Sequence, residues 1–169
     1  MSMHADVGRV PEPSPTEEFL VAYLDTLSMV ERLHRLLLDV IKDEFERLGI
    51  IDINAVQALL LFNIGDNEVT AGELKTRGYY QGSNVSYNLK KLVEYEYMHH
   101  QKCAVDRRAV RVRLTEKGQN VRKTVAELFQ RHADGILNRE VTGDIQLKDI
   151  NASLRKMERY WTDQIRYIY

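Results

Sequence analysis

The sequence predicts a mainly helical fold that carries one small β-hairpin. Apolar residues recur at helical spacing along most of the chain. Residues 110–114 differ, because valine, arginine, valine, arginine and leucine alternate there, which is the period of a half-buried strand with a charged outer face. A short helix and a second helix with a polar outer face precede this hairpin. Together these features predict a winged helix-turn-helix domain.

The composition predicts a folded protein, and the motifs that it lacks predict that it is not an enzyme. The chain has 169 residues, of which 44% are hydrophobic, enough for one domain with additional helices. No apolar run is long enough to cross a bilayer and no signal peptide is recognisable, so a cytoplasmic protein is expected. No catalytic constellation, phosphate-binding loop or dinucleotide motif occurs, and no cofactor is expected.

Charge is segregated along the chain, although the net charge is only -1. Residues 1–68 hold 5 basic and 13 acidic side chains, whereas residues 69–131 hold 13 basic and 6 acidic ones. Such a distribution presents a basic surface to phosphates while the acidic part faces elsewhere. The basic third of the chain is the third that contains the hairpin.

The first helix is predicted to mediate dimerisation. After a flexible arm, residues 1–13, a helix start is formed by Ser14, Pro15 and Glu17, and Gly49 ends the pattern. The helix spans roughly 50 Å, and its apolar stripe is longer than one small domain can cover. A second copy of the chain is the simplest partner. The stripe contains Phe19, Leu20, Tyr23, Leu24, Leu27, Val30, Leu33, Leu37, Ile41, Phe45 and Leu48.

Three helix starts follow in the predicted DNA-binding lobe, residues 50–118. Asn54 caps a helix through Ile64, a capping box of Thr70 and Glu73 begins a short helix over 71–77, and Ser83 caps the next helix. In that last helix the sequence predicts an inner face of Val85, Leu89, Leu92 and Val93 and an outer face of Asn84, Ser86, Tyr87, Asn88, Lys90 and Lys91.

The outer face of this helix suits the major groove of duplex DNA. Serine and asparagine offer short groups to base edges, tyrosine adds a hydroxyl, and the lysines reach phosphates. At the hairpin tip, Arg107 and Arg108 are predicted to enter a minor groove, with Asp106 holding one of them in position. The alternatives are a solvated helix face and a surface ion pair without a DNA role.

The C-terminal part, residues 119–169, is predicted to complete the dimer interface. Thr115 caps one helix, and a last helix runs roughly over 147–168. Its end is rich in aromatic residues, which are natural partners of the first helix.

Two segments carry a resemblance to a known family, namely residues 82–92 (GSNVSYNLKKL) and residues 106–118 (DRRAVRVRLTEKG). With them, most of the chain resembles a MarR-type winged helix-turn-helix transcriptional regulator, and the recognition segment is similar to that of the LdtR branch. The resemblance implies a homodimer on pseudo-palindromic DNA, with the fourth helix in the major groove and the wing in the flanking minor groove. Carried onto this chain, it implies base contacts from Ser83, Asn84, Tyr87 and Asn88, and a minor-groove contact from Arg107 or Arg108.

Two residues depart from the family pattern. Asn88 stands where an apolar residue is usual, so either DNA or a local hydrogen bond is open as its partner. Glu96 takes the place of a glycine that often ends the recognition helix, and we therefore expect that helix to end differently.

The resemblance also implies release from DNA by a small aromatic or phenolic effector. Candidate lining residues are Leu20, Tyr23, Leu24, Met29 and Phe62, for which ordinary core packing is the alternative. A ligand that prefers the dimer spacing unable to bind DNA weakens operator binding through its differential affinity.

Other sites are weakly indicated. His99 and His100 are adjacent on a strand and point to opposite faces, a poor geometry for one metal ion. Cys103 has basic neighbours that favour oxidation, but an inert thiol is the simpler interpretation. A different class of function is a helical adaptor that uses the same fold for protein contacts, which salt would weaken little compared with DNA binding.

Overall fold

The structure is a computed structural model that describes residues 14–76, 82–102 and 110–168. Its predominance of helix, with one small sheet, confirms the predicted fold class. The chain divides into two compact units, Met1–Ala55 and Val56–Tyr169. Among the described residues, no helix combines the length and apolarity needed to cross a membrane. The elements in chain order are α1 (Pro15–Leu48), α2 (Ala55–Ile64), β1 (Val69–Thr70), α3 (Ala71–Thr76), α4 (Gly82–Glu94), β2 (Met98–Lys102), β3 (Val110–Leu114), α5 (Glu116–Asn138) and α6 (Asp144–Ile168).

Helix α1 begins and ends where the sequence predicts. The backbone nitrogen of Ser14 donates to a Glu17 carboxylate oxygen at 2.7 Å, and the nitrogen of Glu17 donates to the Ser14 hydroxyl at 3.3 Å. This reciprocal pair satisfies two donors that the first helical turn leaves open. Gly49 ends the helix with a φ of 70°, a left-handed conformation that glycine adopts without steric cost.

The sheet has three antiparallel strands in the order β1-β3-β2. Val112 and Leu114 of β3 are buried, whereas Arg111 and Arg113 are exposed, so the predicted alternation is confirmed. Strand β1 was not predicted, because its two residues are too few to show a period, and it exists only through its pairing with β3.

The part of the second unit from α2 through β3, called the winged lobe below, has its own apolar core. The capping box predicted for α3 is present, since the nitrogen of Thr70 donates to Glu73 at 2.7 Å and the nitrogen of Glu73 donates to the Thr70 hydroxyl at 3.1 Å. The lobe core includes Leu60, Leu61, Ile64, Val69, Leu74, Val85, Leu92 and Met98, which are almost fully inaccessible to solvent.

Two predicted helix starts are displaced. Helix α4 begins at Gly82, so Ser83 lies inside its first turn rather than before it as a cap. Helix α6 begins at Asp144, about one turn before the predicted start at residue 147. Its first turn closes when the nitrogen of Leu147 donates to the carbonyl of Gly143 at 3.1 Å. Both errors concern helix ends, where local sequence signals are least decisive.

The C-terminal end of α4 corrects a second expectation. Glu96 adopts a φ of 64°, and its nitrogen donates to the carbonyl of Val93 at 3.0 Å. The nitrogen of Tyr97 donates to the carbonyl of Leu92 at 2.8 Å, which completes a Schellman motif. The helix therefore ends as it would with glycine, and the different ending that we expected was wrong. A left-handed glutamate costs about 1–2 kcal/mol, which the two bonds and the burial of Tyr97 offset.

Candidate nucleic-acid interface

Helix α4 presents a buried face to the lobe core and a polar face to solvent. Val85, Leu89 and Leu92 are buried, as predicted. Asn84, Ser86 and Lys90 are exposed, and Tyr87 is 60% exposed. An exposed tyrosine on a helix with a buried apolar face offers both apolar area and a hydroxyl to a partner. The amphipathic pattern thus orients a row of hydrogen-bonding groups outward.

Asn88 does not lie on this outer face, and its predicted exposure was wrong. Its side chain is only 8% exposed, and its Oδ1 accepts a hydrogen bond from Nε2 of Gln57 at 3.2 Å. Three residues after Val85 and four before Leu92, it belongs to the buried stripe by spacing alone. The sequence analysis assigned it by polarity, because its buried amide partner on α2 is invisible in a local pattern. Gln57 was missed for the same reason.

The two lysines of α4 are both close to Glu94. The Nζ of Lys91 donates to the carboxylate at 2.9 Å, and the Nζ of Lys90 lies 4.0 Å from it. The hydrogen bond from Lys91 lowers the pKa of Glu94, and Glu94 in turn raises the pKa of Lys91. The carboxylate therefore loses its charge only below the ordinary glutamate range, and both ends of the pair are charged at neutral pH. The sequence analysis missed Glu94 as the acidic partner of these lysines, although i,i+3 and i,i+4 spacing indicates such pairs.

The hairpin adds cations on its solvent face. Register places Arg113 opposite His99 and Arg111 opposite Gln101, and these four side chains are exposed. His100 pairs with Val112 on the other face, as the strand period predicts for adjacent histidines. The predicted wing residues Asp106, Arg107 and Arg108 lie outside the described residues, as does Cys103. For Ser83 only the backbone, in α4, is described.

The start of α5 ties the end of α4 to the base of the hairpin. The Thr115 hydroxyl donates to the carbonyl of Glu96 at 2.7 Å and accepts from the nitrogen of Gly118 at 3.1 Å. The nitrogen of Thr115 donates to the carbonyl of Tyr97 at 3.1 Å. A Cβ on Gly118 would overlap that same carbonyl oxygen, so the close approach requires glycine. These contacts fix where α4 stands relative to the wing strands.

A cavity of about 360 Å³ lies beside α4 in the winged lobe. Its apolar walls include Leu89, Val93 and Val112. Ala71 also lines it, together with the polar side chains of Ser86, Lys90, Glu94 and His100. The volume is in the range of small-molecule sites. Sequence patterns did not indicate this cavity, because its lining comes from separate elements.

The residues predicted to bind an effector are divided between the two units. Leu20, Leu24 and Met29 on α1 are exposed, and Tyr23 is half-buried and stacks with Phe19 at 6.4 Å between ring centroids. Phe62 on α2 packs edge-on against Phe129 of α5 at 5.0 Å. No group of three or more metal-binding side chains is found among the residues that the structure describes.

The fold and the exposed face of α4 define a winged-helix DNA-binding protein. Residues 53–118 match the model of a winged helix DNA-binding domain. The chain is 34% identical over 154 residues to the exopolysaccharide II synthesis transcriptional activator ExpG of Rhizobium meliloti (strain 1021). The aligned region covers 89% of this chain and 77% of the relative.

Many solved structures share the fold, including the following two. Staphylococcus aureus MarR in complex with salicylate and kanamycin has a TM-score of 0.68 and 17% identity over 87% of this chain and 97% of that one. Streptococcus pneumoniae FabT in complex with DNA has a TM-score of 0.61 and 17% identity over 83% and 98%. The chain belongs to the MarR family of winged-helix transcriptional regulators, which are not enzymes. The similarity to the LdtR branch stays a prediction.

Proposed function

We propose that this regulator binds pseudo-palindromic duplex DNA as a homodimer and is released by a small aromatic effector. The observation that carries the proposal is the outer face of α4, where Asn84, Ser86 and Tyr87 stand exposed on a helix anchored by a buried apolar face. Side chains of this kind hydrogen-bond base edges in a major groove. FabT, which shares the fold, has been solved with DNA.

The proposed contacts divide by chemistry. Ser83, Asn84, Ser86 and Tyr87 read base edges, and Lys90 and Lys91 contact phosphates. Arg107 and Arg108 enter the minor groove, where guanidinium groups are favoured, and Asp106 supports one of them. Asn88 is left out of this set because it is buried.

The dimer is supported by apolar residues that α1 and α6 leave in solvent. Phe19 is 72% exposed and Leu33 58% on α1, while Ile145 is 66% and Ile165 65% exposed on α6. Monomeric proteins rarely leave such extended apolar surface uncovered. A two-fold dimer brings two α4 helices to successive major grooves, about 34 Å apart.

The DNA-binding proposal is tested by Arg107→Ala/Arg108→Ala. Duplexes enriched by the wild-type protein from a randomised pool serve as operator. We expect the double variant to bind them roughly 10- to 100-fold more weakly, and the slope of log affinity against log salt to fall by about 2, because two cationic contacts are lost. Fluorescence anisotropy at several salt concentrations measures both.

The matched control is Lys123→Ala, which removes an exposed cation of α5 that pairs with Glu127. We expect little change there. Equal losses in both variants would contradict a role for the wing. A wild-type affinity that ignores salt would instead favour the adaptor function, since apolar contacts depend little on ionic strength.

The effector part of the proposal has two candidate places. One is the set predicted from the sequence, Leu20, Tyr23, Leu24, Met29 and Phe62. The other is the cavity beside α4, whose lining includes Ser86 and Lys90. Because Ser86 and Lys90 are proposed DNA contacts, a ligand in this cavity competes with DNA directly.

Salicylate, present in the S. aureus MarR complex, is the probe that separates the two places. Calorimetric titration of salicylate into the His100→Ala and Leu24→Ala variants assigns the ligand to the place whose variant loses binding. The same titration is repeated with protein bound to duplex DNA, and release of the duplex is measured. Absence of binding to the wild-type protein would contradict an aromatic carboxylate as the effector.

A further inference from the structure

A buried amide pair joins the recognition helix α4 to α2. Nε2 of Gln57 donates to Oδ1 of Asn88 at 3.2 Å, and the two side chains are 5% and 8% exposed. We infer that Gln57 and Asn88 are positioning residues that set the rotation of α4 about its axis and so determine operator preference without touching DNA. This inference rests on the proposed DNA-reading function of α4.

The hydrogen bond between Gln57 and Asn88 is a directional interaction within a mostly apolar contact between α2 and α4. On α4, Val85, Leu89 and Leu92 flank Asn88 on the buried face. On α2, Ala58 and its apolar neighbours flank Gln57, and they are buried as well. Apolar packing is non-directional and tolerates small rotations. A buried amide bond does not, because a rotation that breaks it takes the donor away from the Asn88 oxygen in a place remote from water.

Stability alone does not account for the pair. Replacing hydrogen-bonded polar partners in a core by apolar side chains of similar shape is often neutral or stabilising. An apolar replacement loses the preference for one relative orientation of the two packed helices over slightly rotated orientations. In this molecule the arrangement concerned is the angle at which α4 presents its outer face.

A small rotation of α4 has a large consequence at the DNA surface. Asn84 and Tyr87 are on the same helix, four residues and one residue before Asn88. At a side-chain radius of about 5–6 Å, a rotation of about 20° moves an outer group by roughly 2 Å. Hydrogen bonds to base edges weaken over a few tenths of an ångström. Phosphate contacts by long, flexible lysines tolerate the same shift. The pair therefore acts on specificity more than on overall affinity.

The experiment uses the full-length protein and three variants: Gln57→Leu, Gln57→Leu/Asn88→Leu, and the swapped pair Gln57→Asn/Asn88→Gln. Each protein selects duplexes from one randomised pool. Its affinity is then measured for the duplex enriched by the wild type and for a scrambled duplex of equal composition, at several salt concentrations. Thermal unfolding shows whether each variant is folded.

We expect Gln57→Leu to lower the melting temperature by about 3–6 °C, because Asn88 loses its donor. The double leucine variant should recover the part of that loss that comes from the unpaired Asn88 amide. It should nevertheless show at least a 10-fold smaller ratio of wild-type-selected to scrambled affinity, with an unchanged salt slope on scrambled DNA. The swapped pair should restore much of the ratio, because it restores the bond.

Gln57 gives the decisive readout, since it is buried on α2 and has no route to a base. A folded double leucine variant that enriches the wild-type motif with the wild-type ratio would overturn the inference and make the pair ordinary core. If the wild-type protein itself enriches no motif, the proposed DNA-reading function fails instead. The two failures are therefore distinguishable.

Discussion

The winged lobe and the terminal helices α1 and α6 treat their apolar residues in opposite ways. In the lobe, Leu60 is 1% exposed and Leu92 is fully buried. On the terminal helices, Phe19 is 72% and Ile165 65% exposed. Both regions carry clear amphipathic patterns, so the difference lies in whether one chain supplies the other side of the contact. The lobe completes its core within the chain, whereas the terminal helices leave large apolar side chains exposed, which the proposed dimer would cover.

Charging the terminal helices should break this comparison with the largest effect. We expect Leu33→Asp/Ile165→Asp to separate the proposed dimer, because burying two carboxylates per chain in an apolar interface is strongly unfavourable. Operator affinity should fall by about 100-fold or more, since the second half-site contact is no longer intramolecular. Sedimentation velocity measures the assembly and anisotropy the affinity.

A matched control is Arg35→Gln. Arg35 is exposed and lies about half a helical turn from Leu33, and its substitution changes the charge by the same amount as one leucine-to-aspartate substitution. It should leave mass and affinity unchanged. A doubly charged variant that still sediments as a dimer would show that these faces are not the interface. Circular dichroism should stay helical, because the substituted side chains are exposed within the chain.

Adding one methyl group at two glycines of α5 sharpens the comparison. Gly118→Ala should lower the free energy of unfolding by about 1–3 kcal/mol, because its Cβ would overlap the backbone carbonyl of Tyr97 in the winged lobe. Gly135→Ala meets no atom within 4 Å and lies in the helix interior. It should raise the stability by about 0.5–1 kcal/mol through backbone entropy and helix propensity.

Denaturant unfolding of both variants checks the opposite signs. If Gly118→Ala were neutral, the close contact between α5 and the end of α4 would not constrain the lobe. If Gly135→Ala were strongly destabilising at protein concentrations where the proposed dimer is expected to form, its position would instead belong to the proposed dimer contact.

The smallest effect concerns the carboxylate beside the two lysines of α4. Glu94→Gln removes the charge that pairs with Lys90 and Lys91. We expect affinity for scrambled duplex DNA to rise about 2- to 5-fold, because the lysines no longer exchange a carboxylate for a phosphate. Glu127→Gln is the control, because it removes an i,i+4 partner of Lys123 on α5. An equal rise in both variants would assign the effect to net charge.

Much of the fold was predictable because its signals are local. The capping boxes at Ser14 and Thr70 join residues three positions apart, and both are present. The alternation in β3 and the apolar stripe of α4 are periods that a short window reveals. The left-handed residue at Glu96 was harder, because a helix end can be imposed by backbone bonds and packing where the side chain disfavours it.

The candidate site was predictable only in part. The exposure of Asn84, Ser86 and Tyr87 followed from helical spacing, but Asn88 was misassigned because polarity was weighed above its position between Val85 and Leu92. The cavity beside α4 could not have been predicted, since its lining comes from four elements, α3, α4, β2 and β3.

The sequence by itself determined that the helices form, that capping boxes start α1 and α3, and that one face of each amphipathic helix is mainly apolar, because these features depend on neighbours within about one turn. Only the tertiary structure decided that Gln57 and Asn88 meet across 31 residues and that Asp66 accepts from Arg122 across 56, at 2.7 Å. The physical reason is that a polar group is buried or exposed according to the partner that the fold brings to it. That partner is set by chain topology, which no local pattern contains.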